Sequence, residues 1–394
     1  MSYANRLRTL YITLHKKERI IIMSKTDIPS KVKAELWFRA AGRCEFKGCN
    51  KALYEHGITL EKCNLSNCAH IIADSYNGPR GDKKLSEKLA KDINNIMLMC
   101  PDCHRIIDIE GKEKYSVNTL RQMKKHHEER MRYLTGLSED LQANIVTFGG
   151  KIENHIHDFD LRQLQDALLP EFYPAPSTNI DLGGSFFSGS DWDTFWKTEE
   201  DNLVYNCKEK VLERIGKWEH KRIALFAIGP MPLLVKLGTM LNNKHEIEVY
   251  QKQRSGGWKW KHKNKTTKYI VNRPKDTSRT PVLVLSLSNS IVERVKSNRK
   301  DCSIWELTIE NPNPDFLTSK KMLYDYSRTI EILLQEITRV SNGNPLELYL
   351  SVPVACAVEF GRVWMPKANC SLKIYDFNTK YSEQDKIAIE IKNK

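Results

Sequence analysis

Two kinds of hydrophobic patterning divide the 394 residues of this chain. From about residue 166, short continuous apolar runs alternate with amphipathic segments. The run RIALFAI (222–228) has the character of a strand buried on both faces. GPMPLLVKLGTML follows as a loop and helix, then EIEVYQ as another strand. LELYLSV, PVACAVEFGRVW and SLKIYDF repeat the same strand, proline-led helix, strand order further on. Pro230 precedes Gly238 by eight positions, and Pro353 precedes Gly361 by the same eight, which suggests a duplicated βαβ unit. TPVLVLSLSNS and SIWELTIE add strands, and LTSKKMLYDYSRTIEILLQEITRV adds a long helix. Alternation of this kind predicts an α/β domain with a mainly parallel sheet over residues 166–394.

Residues 28–134 are patterned differently. PSKVKAELWFRAAGRC reads as a short helix with Pro29 near its start. VNTLRQMKKHHEERMRYLTG reads as an exposed amphipathic helix, with Leu120, Met123, His127, Met131 and Leu134 on one face and Gly136 at its end. His126 and His127 are expected to be surface or packing residues. Residues 135–165 read as a linker, in which His155 and His157 alternate without a third ligand nearby. Residues 1–27 read as a disordered or mis-annotated leader, since the apolar core and cleavage site of a signal peptide are missing.

The chain contains no apolar run of the roughly 20 residues a membrane span needs. Ten cysteines without a secretory signal point to metal ligands and free thiols in a reducing cytoplasm. A formal net charge of +13 favours polyanionic partners, though many basic faces are merely solvated.

The stretch MCPDCHRIID (99–108) concentrates metal-seeking groups. GRCEFKGC supplies Cys44 and Cys49, and CPDC supplies Cys100 and Cys103, a four-thiolate set suited to structural Zn²⁺. Cys63 and Cys68 are rivals for the first pair, with the same spacing. His104 and Asp108 then remain, and at i, i+4 they share one face of a helix starting near Pro101. Together they suit a hard cation such as Mg²⁺ with open positions. Upstream, NCAHIIADSYNGPRG puts His70 on a predicted strand, and DINNIMLMC puts Asn95 five residues before Cys100.

The strand ends AIGPMP, SLSNS and SVPVA are where ligand pockets form in α/β sheets, and helix N–H groups there can receive phosphate. Each is also an ordinary strand–helix turn when taken singly.

The His–Asn–His order beside a zinc knuckle resembles the HNH nucleases, and residues 28–110 resemble a ββα-metal HNH domain. That resemblance implies His70 as general base, Asn95 as the central asparagine and His104 as a metal ligand, with Asp108 in the place of a second ligand. Ala69 departs from the Asp or His that many relatives carry before the base. Asn95 is expected to brace the loop that orients His70, and Arg80 is a candidate for a DNA phosphate. Residues from about 166 to 394 resemble the SAVED cyclic-oligonucleotide sensors of bacterial CBASS antiphage systems, on FAIGPMPLLVKLG, QKQRSGGWKW, ENPNPDFL and SVPVACAVEFGRVWMP.

The two resemblances imply an α+β zinc-containing HNH domain followed by an α/β SAVED domain of two fused CARF-like Rossmann units. They also imply a cyclic di- or trinucleotide activator, a homo-oligomer on activation, double-stranded DNA as substrate, and antiphage defence by abortive infection. Trp258 and Trp260 are candidates to stack on the activator's bases, and Arg254, Lys259 and Lys261 to neutralise its phosphates. WKWKHKNK reads equally as a basic hairpin gripping DNA, or as one that simply packs its tryptophans. A rival is a constitutive restriction or homing endonuclease whose C-terminal domain reads DNA. A non-enzymatic zinc-knuckle DNA binder would leave His70 and His104 unexplained.

Overall fold

The computed structural model describes residues 26–110, 113–150, 158–176, 179–183, 191–218, 221–242, 245–377 and 384–393. Most of the expected leader, and His155 and His157, lie outside the described residues. The chain divides into two compact units, Met1–Leu137 and Ser138–Lys394.

In the N-terminal unit, helix α1 (Ser30–Arg39) leads into the first cysteine knuckle. Gly48, at φ 87°, occupies a backbone region that costs glycine nothing and so lets the knuckle turn back on itself. Strand β1 (Asn67–His70) pairs antiparallel with β2 (Ile96–Met99), with His70 opposite Ile96. All four residues of β2 are buried, and helix α2 (Pro101–Arg105) starts directly after it. Pro101 suits that first turn because its missing N–H has no helical partner to lose. The helix continues as a wider turn over Ile106–Glu110. Helix α3 (Val117–Thr135) buries Leu120, Lys124, His127 and Met131, so the amphipathic face is as expected except that a lysine occupies it. Among the two histidines of that helix, His127 is buried on the Ala40 carbonyl at 3.1 Å while His126 is exposed.

Lys124 is inside because Glu45 is. The Glu45 carboxylate accepts from the Leu98 N–H at 2.6 Å and faces the Lys124 ammonium at 3.7 Å. Lys124 in turn bonds Glu128 at 2.6 Å. Burial pushes the Glu45 carboxyl up to about 7, against the pull of Lys124 and the Leu98 N–H. Periodicity registers only apolar residues, so this internal ion group was invisible in the sequence pattern.

The second unit begins inside the segment expected to be a linker. Strand β3 (Gln142–Gly149) is buried over seven of its eight residues and pairs parallel with the later strand Ile223–Ile228, which corrects the 135–165 assignment. The apolar, β-branched stretch ANIVTF explains the strand, and helix α4 (Leu161–Leu168) covers one side. Strands β4 (Tyr173–Pro174) and β5 (Ile180–Asp181) also pair with β3. After helix α5 (Trp192–Cys207), strand β6 (Ile223–Ile228), helix α6 (Met231–Leu241) and strand β7 (Ile247–Tyr250) complete a parallel sheet in the order β4-β3-β6-β7.

The second sheet follows. It takes strands β8 (Tyr269–Asn272) and β9 (Thr280–Ser286), helix α7 (Val292–Asn298), strand β10 (Cys302–Ile309) and the long helix α8 (Lys320–Val340). Strand β11 (Leu346–Ser351), helix α9 (Val354–Val363) and strands β12 (Leu372–Asp376) and β13 (Lys386–Ile391) close it. The order is β13-β12-β11-β9-β10-β8, parallel at the centre with an antiparallel strand at each edge.

Helices α6 and α9 are the equivalent helices of the two βαβ units, and they cross at their glycines. A Cβ on Gly238 would meet the Val358 carbonyl oxygen at 2.1 Å, and one on Gly361 would meet that of Val235 at 2.0 Å. Val235 and Val358 each lie three positions before the glycine of their own helix, so the contact is reciprocal. Only glycine permits backbones this close. The matched Pro-to-Gly spacing is therefore the signature of a pseudo-symmetric helix crossing, and the duplication has a packing reason.

Candidate functional site

The four cysteines Cys44, Cys49, Cys100 and Cys103 come together in the N-terminal unit, with their sulfurs all within 4.8 Å of one another. Thiolates around a tetrahedral zinc with bonds of about 2.3 Å stand about 3.8 Å apart, and Cys49 Sγ lies 3.9 Å from Cys100 Sγ. The donor set and its spacing fit Zn²⁺. The first knuckle is held to β2 by the Glu45 N–H on the Leu98 carbonyl, and Cys100 caps α2 by accepting from the Cys103 N–H. Burial pushes the Cys44 thiol up to about 12 and the Cys103 thiol higher still. At Cys100 burial acts in the same direction, but hydrogen bonds from the backbone and side chains of its neighbours outweigh it and bring the thiol down. Cys63 is exposed and Cys68 half-buried, and neither joins the cluster.

The second constellation lies around β1, β2 and α2. His70, at the end of β1, is buried and its Nε2 is 2.9 Å from the Ala90 carbonyl oxygen. A carbonyl only accepts, so Nε2 carries the proton and Nδ1 keeps the lone pair. Asn95 is buried just before β2, and its amide clamps Ile72 on both sides. The Ile72 N–H donates to Oδ1 at 2.9 Å, while Nδ2 donates to the Ile72 carbonyl at 2.8 Å. Asn95 thus fixes the backbone two residues after His70.

His104 and Asp108 face each other across one turn, with Nε2 2.9 Å from Oδ2. Arg80 binds them to the rest. Its guanidinium donates to Asp108 Oδ1 at 2.6 Å, to the Ile107 carbonyl at 2.7 Å and to the Ile71 carbonyl at 2.7 Å. A weaker bond at 3.3 Å reaches the carbonyl of His70 itself. Burial works against ionisation of Asp108, yet the bonds from His104 and Arg80 prevail and hold its carboxyl below the ordinary value.

Arg80 was a candidate for a DNA phosphate, and this is corrected. Its side chain is 7% exposed, and four acceptors already occupy its fork. A Gly-Pro-Arg turn gives no hint of this role in the sequence. His104 and Asp108 offer one nitrogen and one oxygen within 2.9 Å of each other, a pair of donor types that suits one hard divalent cation with remaining positions open. Among the described residues the four cysteines are the one group of three or more such side chains close enough to hold an ion by themselves.

In the second unit, the three strand ends singled out by the sequence meet around one cavity of about 700 Å³. Ile228 and Met231 come from AIGPMP, Ser288 and Asn289 from SLSNS, and Leu350 to Val354 from the β11–α9 turn. Both βαβ units thus contribute. The Ser288 N–H donates to the Ser351 carbonyl at 2.7 Å and the Asn289 N–H to Ser351 Oγ at 3.1 Å, which ties two of the turns together. One expected phosphate donor is occupied: the Ala355 N–H, in the first turn of α9, donates to Gln251 Oε1 at 3.1 Å. Lys252 and Arg254 are the cationic side chains of the lining, and Arg254 stands 3.8 Å from Asp315.

The stacking role expected for Trp258 is corrected. Trp258 is 2% exposed, stacked on Phe159 and edge-on to Phe226 in the core beside β6. A side chain so enclosed has no face left for a base. Trp260 is half-buried against the same core, and Lys259 and Lys261 are exposed and do not line the cavity.

Residues 206–386 match the family model described as "SMODS-associated and fused to various effectors sensor domain", or SAVED, so the second unit carries a SAVED domain. Comparison with curated proteins gives no match. Among solved structures, the chain is similar to the Acinetobacter baumannii Cap4 SAVED/CARF-domain containing receptor with the cyclic trinucleotide 2′3′3′-cAAA, at 13% identity and a TM-score of 0.43 over 74% of this chain and 66% of that one. The Moraxella osloensis Cap4 SAVED/CARF-domain containing receptor is similar at 11% identity and a TM-score of 0.41, over 79% of this chain and 70% of that one. The chain thus spans a little under two thirds of the first of these structures. Among the described residues no helix is long and apolar enough to cross a membrane.

Proposed function

We propose that this chain, with its SAVED domain over residues 206–386, is a metal-dependent HNH endonuclease that a cyclic di- or trinucleotide switches on to cut double-stranded DNA in CBASS-type antiphage defence. The observation that supports the nuclease half is the single network running from His70 and Asn95 through Arg80 to Asp108 and His104. A zinc-knuckle binder has no use for such a network.

His70 is the group that takes a proton. Its Nδ1 lone pair removes one from water as the water oxygen bonds to phosphorus, and the bond from phosphorus to the 3′ oxygen breaks. The Ala90 carbonyl fixes the tautomer, and Asn95 fixes the loop on which the ring is mounted. His104 and Asp108 would hold a divalent cation, Mg²⁺ or a similar ion, which supplies Lewis-acid relief of charge on the leaving 3′ oxygen. Arg80 sets the angle of Asp108 and keeps it ionised. The products are a 5′ phosphate and a 3′ hydroxyl, the latter protonated from solvent.

The cavity shared by the two βαβ units is the activator's place in this reading. Lys252 and Arg254 face its phosphates; Ser288 and Asn289 tie the turns after β9 and β11 through Ser351, and Gln251, just after β7, ties the first βαβ unit to α9 through the Ala355 N–H. Ligand shifts an equilibrium only by its differential affinity for the two states, so the cavity must differ between resting and assembled forms.

His70→Ala and His70→Gln test the nuclease assignment. Both are expected to cut DNA 10²- to 10⁴-fold more slowly, on the order of what general-base removal costs, with zinc content and melting unchanged for His70→Gln, whose amide still reaches the Ala90 carbonyl. Wild-type cutting by either folded variant contradicts the role of His70.

A further inference from the structure

We infer that the second unit holds a nucleic-acid contact of its own, a lysine ridge at residues 259–265 that grips the phosphodiester backbone of duplex DNA away from the cyclic-nucleotide cavity. Residues 251–275 contain nine Lys and Arg and no Asp or Glu. Within that stretch the sequence WKWKHKNK splits by environment. Trp258 is buried and Trp260 half-buried, whereas Lys259, Lys261, Lys263 and Lys265 are all exposed. The tryptophans turn inward and the lysines outward.

The ridge is anchored rather than left as a solvated tail. Trp258 is stacked on Phe159 and set edge-on against Phe226. The N–H groups of Lys261 and His262 both donate to the Thr318 carbonyl at 3.1 Å. Ser319 Oγ donates to the Lys265 carbonyl. Among the described residues none of the four lysines is in an ion pair with a carboxylate, although the chain pairs Lys252's neighbour Arg254 with Asp315 and Lys320 with Glu171 and Glu248. Four ammonium groups on a fixed backbone, with no carboxylate paired to them among the described residues, repel one another and favour a polyanion.

The chemistry of the ridge selects among polyanions. Protein interfaces are depleted in lysine and built on apolar or aromatic anchors, and here the residues between the lysines are His262, Asn264 and Trp260, the last half-buried against the core. Single strands are gripped by stacking on aromatic faces, and here Trp258 is enclosed and Trp260 half-buried against the core. A duplex backbone needs only cations, and it neutralises each lysine by releasing a counterion. The four lysines also stand apart from the cavity lining, which takes Lys252 and Arg254 instead. This inference does not depend on the nuclease reading, because it concerns binding and not cutting.

The test is the salt dependence of binding to a short labelled duplex by the full chain carrying His70→Ala, which removes cutting from the readout. Each lost phosphate contact lowers the slope of log K against log salt by roughly 0.9. Combined Lys259→Gln, Lys261→Gln, Lys263→Gln and Lys265→Gln is expected to reduce the slope by about 3 to 4 and to weaken binding alike for all sequences. The matching set of four Lys→Arg substitutions is expected to keep the slope. An unchanged slope in the glutamine variant overturns the inference. So does a variant that loses cyclic-nucleotide affinity, or self-association measured by mass, while its DNA slope stays the same, since those outcomes assign the ridge to the activator or to a second copy.

Discussion

Cys100→Ser is expected to abolish the proposed zinc binding of the N-terminal unit and to remove most of that unit's folding free energy. Structural zinc supplies on the order of 10 kcal/mol in sites that do not exist in the unfolded chain. Cys100 is also the cap of α2, the helix that carries His104, so its loss loosens the proposed active site directly. Chelation should do the same to the unaltered protein, while the second unit, with separate hydrophobic cores, keeps its transition. The pH dependence has a definite sign. With burial holding Cys44 up to about 12 and Cys103 higher, both thiols are protonated in the metal-free protein at neutral pH. Zinc must displace those protons, so binding tightens as pH rises and releases at least the two. A weakly buffered zinc titration followed with a pH indicator reads this directly. Full zinc content and an unchanged melt in Cys100→Ser, or zinc uptake without proton release, contradict the four-cysteine site.

Arg80→Met is expected to be damaging as well, to a smaller extent, although Arg80 is placed to touch neither metal nor substrate itself. Removing one member of a buried ion pair costs about 3–5 kcal/mol, because the partner is left uncompensated. Here the partner is Asp108, and the carbonyls of Ile71 and Ile107 lose their donor as well. Arg80→Lys keeps the charge but not the planar fork, so it should recover only part of the loss. In the native protein Asp108 is held below its ordinary value, so its stabilising contribution is complete above about pH 3.9 and fades as pH falls through the lower folded value. Without Arg80 the folded value moves back toward the ordinary one, so the acid-side stability contributed by Asp108 shrinks. A denaturation midpoint indistinguishable from the wild type for Arg80→Met would falsify the account of this network.

Much of the frame was legible in the sequence because periodicity and spacing report on burial and ligation. The apolar runs at 223–228, 280–286 and 346–351 became strands, and the paired Pro-to-Gly intervals marked the α6–α9 crossing. The cysteines that cluster are Cys44, Cys49, Cys100 and Cys103, although spacing alone did not separate the first pair from Cys63 and Cys68. What escaped were contacts made by long polar side chains. Arg80 and Lys124 are buried by partners 28 and 79 residues away, Asp108 and Glu45, and no local pattern announces such a pairing. Trp258 misled for the opposite reason: flanking lysines and glycines look like a binding turn, yet the ring lies in the core beside β6. Strand β3 was taken for a linker because its eight residues stand between unpatterned stretches, with its pairing partners Ile223–Ile228 about eighty residues on.

The central claim is that a cyclic oligonucleotide bound by the second unit turns on cutting by the first. Plasmid cleavage and mass should be measured on the same samples, with Mg²⁺ present, against a panel of cyclic di- and trinucleotides. The expected result is intact plasmid without ligand, and rapid cutting accompanied by a rise in mass with one nucleotide of the panel. Equal cutting with and without every nucleotide, at unchanged mass, contradicts the claim and favours a constitutive endonuclease.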